Sequence, residues 1–312
     1  MTVLNQCESQ DSFLLYNEDM ILNVSGRCDI VAFFSEWFMN RYEEGYVDVR
    51  NPFYPKKVSR IYFENVDAIV FCTKNPMPIL PYLDKINKPI LFQVTLTPYH
   101  SDIELHVPDK NKIIEAIQKL AVILPKESLY VRYDPIFIND RYTLEYHIKA
   151  FERLCERLED SVSHMIVSFL DDYKNVQRHS HEIKAKKMTE EDYEIIGRSF
   201  AQSAFNHHMT VQTCAEEKNL VEYGFIQEDC VSKRIAYQLT HKKFKKWNAR
   251  GKNCQCVEMA DIGVYNTCAH FCKYCYANYD EKKIKEWKKQ HDPTSSLLIG
   301  HLKEDDILVE RK

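Results

Sequence analysis

Cys268-Ala269-His270-Phe271-Cys272-Lys273-Tyr274-Cys275, with Tyr276-Ala277-Asn278 behind it, is the stretch on which the reading of this chain turns. Its thiols stand at i, i+4 and i+7, and an aromatic residue precedes the last of them. A short loop with that spacing can turn all three sulfurs onto one centre. Three thiolates bind three irons of a cubane [4Fe–4S] cluster and leave the fourth iron open. An open coordination position marks a reactive metal site. Spacing alone leaves two alternatives standing: three ligands of a structural zinc, or thiols that share a loop by chance.

Just upstream, Asp261-Ile262-Gly263-Val264-Tyr265 reads as a strand, and a charged helix follows the loop at about 280–290. The cysteine loop therefore lies at the carboxyl end of a strand. Toward the N-terminus, apolar runs at 20–26, 66–72, 89–97, 128–133, 165–170 and 209–213 read as six further strands. Helical periods at 29–44, 110–123, 142–159 and 190–206 fall between them, and a polar loop of about 20 residues follows the fifth strand. Short apolar strands alternating with helices predict an α/β fold with a parallel sheet buried on both faces. We expect a partial (β/α) barrel of about six to seven parallel strands over residues 1–280, with its cysteine-rich part at 214–280. Residues 281–312 are expected to form a C-terminal helix and tail.

Chemistry in such barrels gathers at the carboxyl ends of the strands. Those ends carry Ser25 and Arg27, Thr73 and Lys74, Thr95 and Thr97, Arg132 and Asp134, Ser168 and Asp171, and Cys214 and Glu216. One polar residue at a strand end is ordinarily a turn residue; six consecutive strands ending this way predict a shared polar rim around a ligand.

A chain of 312 residues can bury a sizeable core. Its net charge of -4 gives no bulk drive toward nucleic acid or membrane. The start MTVLNQCESQDSF lacks the basic and apolar parts of a secretory signal, and no apolar stretch is long enough to span a bilayer. Of the 11 cysteines, seven fall between 214 and 275. That clustering favours metal ligation over disulfides in a reducing, cytoplasmic setting.

The C-x3-C-x-aromatic-C loop resembles the signature of the radical S-adenosylmethionine (SAM) superfamily. The chain as a whole resembles a permuted form related to the spore photoproduct lyase group. The Asp261–Cys268 run is similar to the Asp-Ile-Gly-x-Tyr-(Asn/Asp)-Thr-Cys hallmark of a bacterial family with its cluster loop near the C-terminus. Thr73-Lys74-Asn75-Pro76 resembles the group's Thr-Lys-Ser segment, Gln93–Thr97 its next strand, and Val131–Pro135 its Arg-x-Asp-Pro strand. Ser25-Gly26-Arg27-Cys28-Asp29 stands where such relatives usually show Ser-Arg-Arg-Thr-Asp.

The resemblance implies a [4Fe–4S] cluster on Cys268, Cys272 and Cys275, whose open iron takes SAM. It implies reductive cleavage of SAM to a 5′-deoxyadenosyl radical, driven by a donor such as flavodoxin or ferredoxin. Lys74 or Arg132 would neutralise the SAM carboxylate, the arginine as a bidentate fork. Thr73 belongs to the same segment. Tyr274 would lie beside the adenine, while Ser25, Thr95 and Ser168 would offer hydroxyls to SAM or substrate. The cluster strand comes first in most such enzymes and last here, so permutation requires strand 261–265 to pack beside strand 20–26. The substrate is not legible; a nucleic-acid lesion or base is one candidate.

Two features stand apart. Cys214, Cys230, Cys254 and Cys256 form a second thiol set that could close a zinc site or a second iron–sulfur cluster. The redox chemistry implied next door favours a cluster, and four separate thiols are the plain alternative. The span Val231–Val257 is basic without an Asp or Glu, and Tyr237, Phe244 and Trp247 are interleaved in it. Such a run is ordinarily a solvated face, but it also suits nucleic acid. The competing function is therefore a non-enzymatic, metal-stabilised barrel that binds nucleic acid.

Overall fold

The computed structural model describes residues 19–218, 220–245 and 254–311. The chain-order strands are β1 (Met20–Asn23), β2 (Tyr46–Arg50), β3 (Lys57–Tyr62), β4 (Val66–Thr73), β5 (Ile90–Thr95), β6 (Leu129–Ile136), β7 (His164–Phe169), β8 (Thr210–Thr213), β9 (Ala260–Asp261) and β10 (Ile307–Arg311). The helices are α1 (Ile30–Phe33), α2 (Ser35–Glu44), α3 (Lys110–Ile123), α4 (Leu144–Leu158), α5 (Lys174–Arg178), α6 (Ser180–Ile183), α7 (Glu190–Asn206), α8 (Lys233–Thr240) and α9 (Glu281–Gln290). No helix among the described residues is long and apolar enough to cross a membrane.

Seven strands form one parallel sheet in the order β9-β1-β4-β5-β6-β7-β8. The expected partial barrel is thus present, and its last strand in sequence is first in space. β9 pairs in parallel with β1, Leu22 opposite Ala260 and Asn23 opposite Asp261. The cluster strand is shorter than the expected 261–265. It runs only over Ala260–Asp261, and Ile262 adds one more bond, donating to the Asn23 carbonyl at 3.2 Å. Beyond it the Asp261 carboxylate accepts the Gly263 N–H at 2.7 Å, which turns the chain off the sheet.

Both faces of the sheet are buried, which explains why the strands read as continuous apolar runs. The outer face, including Leu22, Ile69, Phe71, Phe92, Val131 and Val167, packs with helix residues such as Ile113, Ile117, Phe151 and Phe200. α3 is capped by Asp109, whose carboxylate accepts the Asn111 N–H at 2.9 Å, and α7 opens on a Thr189–Asp192 capping box. Phe151 of α4 and Phe200 of α7 stack at 3.9 Å between centroids. On the inner face, Ile21, Val70, Leu91, Tyr130 and Ile166 meet Ile235 and Ala236 of α8 together with Phe244 and Val257. The inner face is therefore covered at this level by α8, Phe244 and Val257.

That packing reassigns part of the basic run. Phe244 is core, whereas Tyr237 is exposed. Lys242 pairs with Asp19 and Asp67, and Arg234 pairs with Glu228. Lys246, Trp247, Arg250 and Lys252 lie outside the described residues, as does Cys7.

Sequence periodicity missed a second sheet of order β10-β3-β2. The β2–β3 hairpin is inserted before β4, and β10 from the expected tail pairs in parallel with β3. The tail is anchored on α2 by Trp37, whose indole N–H donates to the Ser295 carbonyl at 2.8 Å. The expected polar loop after β7 also contains α5 and α6.

Candidate metal centre

Side chains alternate across a strand, so the inner face can be followed rung by rung. It begins apolar and turns polar toward the carboxyl end: Ile21 then Asn23, Val70 then Cys72, Leu91 then Gln93 and Thr95, Tyr130 then Arg132. These polar rungs line a cavity of about 610 Å³ at the carboxyl end of the sheet. Cys268, Cys272 and Cys275 line it, as do Ser25, Thr73, Lys74, Thr95, Arg132 and Tyr274. So do Cys214, Cys230, Cys254 and Cys256. Ser168 does not: its hydroxyl donates to the Cys214 carbonyl at 3.4 Å, which makes it a brace for that segment. Thr73 spends its hydroxyl on the turn, accepting the Asn75 N–H at 2.9 Å.

The cysteine loop is shaped by its own backbone. Asn266 and Phe271 adopt positive φ of 59° and 54°. The Asn266 carboxamide accepts the N–H groups of Tyr279 and Asp280 at 2.8 and 3.0 Å, closing the loop just before α9. Asn278 donates to the Cys268 carbonyl at 2.7 Å. On one flank the loop pairs with residues 103–106 through Lys273 N–H to the Ile103 carbonyl and His106 N–H to the His270 carbonyl, both 3.0 Å. On the other flank Asn175 of α5 donates to the Tyr276 carbonyl.

Cys268 and Cys272 are each only 8% exposed, and burial pushes all three thiols above their ordinary pKa. Backbone N–H groups oppose that push: His270 toward Cys268, and Ala277 and Asn278 toward Cys275. Lys74 and Lys110 do the same for Cys272. Hydrogen bonds and positive charge aimed at sulfur favour the thiolate, the form that binds metal.

Two acids organise the surroundings. Asp29 accepts the Ala32 N–H (2.9 Å) to start α1, the Lys74 backbone N–H (2.8 Å) and the His270 ring at 3.0 Å. It thereby ties the ends of β1 and β4 to the loop. Glu104, 2% exposed, accepts from Lys74 Nζ at 2.8 Å and the Thr97 hydroxyl at 2.6 Å, and also from Lys110 and the Tyr274 hydroxyl. Burial would raise its pKa, but Lys74 and Lys110 outweigh burial and hold it at about 2. Lys74 stands 5.3 Å from the Tyr274 ring centre. Arg132 donates through Nη2 and Nε to one Asp134 oxygen, Oδ2, at 2.6 and 3.2 Å, and through Nη1 to Gln93 at 3.1 Å.

Sequence reasoning missed Asp29, Glu104, Lys110 and His270 as parts of this site. Gln93 did leave a signal, a polar residue inside the apolar run Pro89–Thr97. The Cys28 thiol, pushed up to about 12 by burial, is a neutral wall residue with Thr267 as its hydrogen-bond partner.

Gly26 marks a close approach. A Cβ there would lie 1.8 Å from the Asp261 carboxylate, which is held by Gly263 and by Arg27 at 3.3 Å. Gly26→Ala is expected to displace Asp261 from the β1–β9 junction and lower stability by about 1–3 kcal/mol, as overpacking does. Urea unfolding checks this, and a variant as stable as the parent would show that Asp261 yields freely.

Compared with known proteins, the chain is matched over residues 21–277 by the family described as "Domain of unknown function (DUF1848)". No curated protein and no solved structure matches it.

Proposed function

The chain belongs to the DUF1848 family, and on that footing we propose that it is a radical SAM iron–sulfur enzyme. The observation that carries the reading is the convergence of Cys268, Cys272, Cys275, Lys74 and Ser25 on one cavity at the carboxyl end of a parallel sheet. The residues fit the group. Three thiols on one loop, met by backbone N–H groups and a lysine pair, make a donor set suited to a cluster with one iron left open. Among the described residues the Ser25 hydroxyl oxygen is buried without a hydrogen-bond partner, as a group awaiting a ligand would be. The cavity volume is in the range of small-molecule sites.

In this reading Cys268, Cys272 and Cys275 hold the cluster. Lys74, paired with Glu104 at 2.8 Å, would neutralise the SAM carboxylate, and Ser25 and Thr95 would donate to SAM or substrate. Tyr274 presents its ring beside the cofactor. Arg132 keeps its partners Asp134 and Gln93 and shapes the opposite wall. When bound, the cluster would supply the electron that cleaves SAM to a 5′-deoxyadenosyl radical; the chain orients the reactants and excludes water.

Anaerobic reconstitution with iron and sulfide tests this. Reduction by dithionite or flavodoxin should give a paramagnetic signal that changes shape when SAM is added, and 5′-deoxyadenosine should accumulate. A cluster whose spectrum ignores SAM would leave the non-enzymatic, metal-stabilised barrel as the better reading.

A further inference from the structure

The geometry points to a second, mononuclear metal site, in which Cys214, Cys230, Cys254 and Cys256 hold one zinc-class ion as a closed tetrathiolate in the cavity wall. The two sulfurs of Cys230 and Cys256 lie 3.5 Å apart. Two sulfurs bonded to one zinc at about 2.3 Å in a tetrahedron stand roughly 3.8 Å apart. Thiolates of a cubane bind separate irons and are spread more widely. Cys254 and Cys256 also fall in a three-residue ligand grouping with Asp229, their sulfurs and an Asp229 oxygen all within 4.8 Å of one another. This favours one ion over the second cluster that the sequence suggested.

The surrounding chain brings all four residues to the lining of one cavity. Cys214 follows β8, its N–H donating to the Val167 carbonyl at 3.3 Å. Gln93 on β5 donates to the Cys230 carbonyl at 2.7 Å. The Asp229 carboxylate accepts the Gln255 N–H at 2.9 Å, fixing the turn between Cys254 and Cys256. The Val257 N–H donates to the Val231 carbonyl at 3.0 Å. Cys214, Cys254 and Cys256 are at most 4% exposed. A zinc tetrathiolate carries a net charge of about −2, and buried charge needs a partner. Arg132 is close enough to Cys214 and Cys230 for their charges to act on it. The site joins three places in the chain: the end of β8, the start of α8 and the approach to β9. Its role is to lock the displaced cluster strand onto β1 and to form the wall opposite the loop, which structural zinc does by adding its binding energy to folding.

The test uses the full-length chain with Cys268→Ala, Cys272→Ala and Cys275→Ala. It lacks the loop ligands, so its outcome is independent of the radical SAM reading. Freed of metal and titrated anaerobically with cobalt(II), it should take up about one equivalent and show the strong visible bands of tetrahedral thiolate coordination. Zinc should bleach those bands at about one equivalent. Adding Cys230→Ser and Cys256→Ser should weaken uptake at least about tenfold, whereas Cys155→Ala, a core thiol elsewhere, should not. If the serine variant does not fold, the cobalt spectrum of the parent triple variant decides alone. Absence of uptake by that folded chain, or weak octahedral bands, would overturn the site. Incorporation of about four irons with sulfide would also overturn it, in favour of a cluster.

Discussion

Reconstituted protein with Ala in place of Cys268, Cys272 and Cys275 is expected to make no 5′-deoxyadenosine above background. The loss should be at least about 1000-fold, equivalent to roughly 4 kcal/mol of transition-state stabilisation. On the proposed reading the three thiols hold the reducing centre, and the other residues of the cavity would only bind and orient. Loss of fold does not account for the same result. The loop is closed by Asn266 and Asn278 and docked on the Ile103–His106 segment through bonds that involve no sulfur. Circular dichroism and urea unfolding of the triple variant should therefore stay close to those of the parent. Undiminished 5′-deoxyadenosine from the folded variant would sink the radical SAM proposal.

Much of the architecture was legible because burial on both faces imprints a simple pattern. β4, β5 and β7 read as apolar runs, and α3 has the bounds 110–123 that its Ile113-Ile117-Leu120 stripe implies. The permuted strand order was legible too, since a loop at a strand end serves the other strand ends only if they share one mouth. The second sheet was not. β10 is mostly exposed, and β2 and β3 sit between a helix and a strand that already satisfied the βα alternation. The shortness of β9 depends on a side-chain contact, Asp261 to the Gly263 N–H, which no periodicity records. The thiols could be recognised as two sets from spacing, but the distances between sulfurs, on which the choice between a single ion and a cluster for the second set rests, could not. Glu104 was invisible for a different reason. Its partners Lys110, Thr97, Lys74 and Tyr274 lie 6, 7, 30 and 170 residues away, so only the folded chain assembles them.

Glu104→Gln should be the most destabilising single substitution at the site. One carboxylate there accepts from two lysines, a threonine and a tyrosine, which is close to its full accepting capacity. The amide keeps the shape but loses the charge and one acceptor. Lys74, whose side chain is 13% exposed, would be left as a buried cation without a counterion. Removing one partner of a buried ion pair costs about 3–5 kcal/mol, and the lower end applies because Lys110 keeps 31% of its side chain exposed. Urea unfolding of the metal-free protein should therefore show a loss of about 3 kcal/mol. Adding Lys110→Met to Glu104→Gln should recover part of the loss, because the penalty comes from uncompensated charge rather than from shape. If Glu104→Gln is as stable as the parent, the lysine pair is solvated in solution, and Glu104 cannot be what holds Lys74 against Tyr274 at the cavity. If the double variant is instead less stable than Glu104→Gln, packing by Lys110 outweighs its charge, and the electrostatic account of this hub fails.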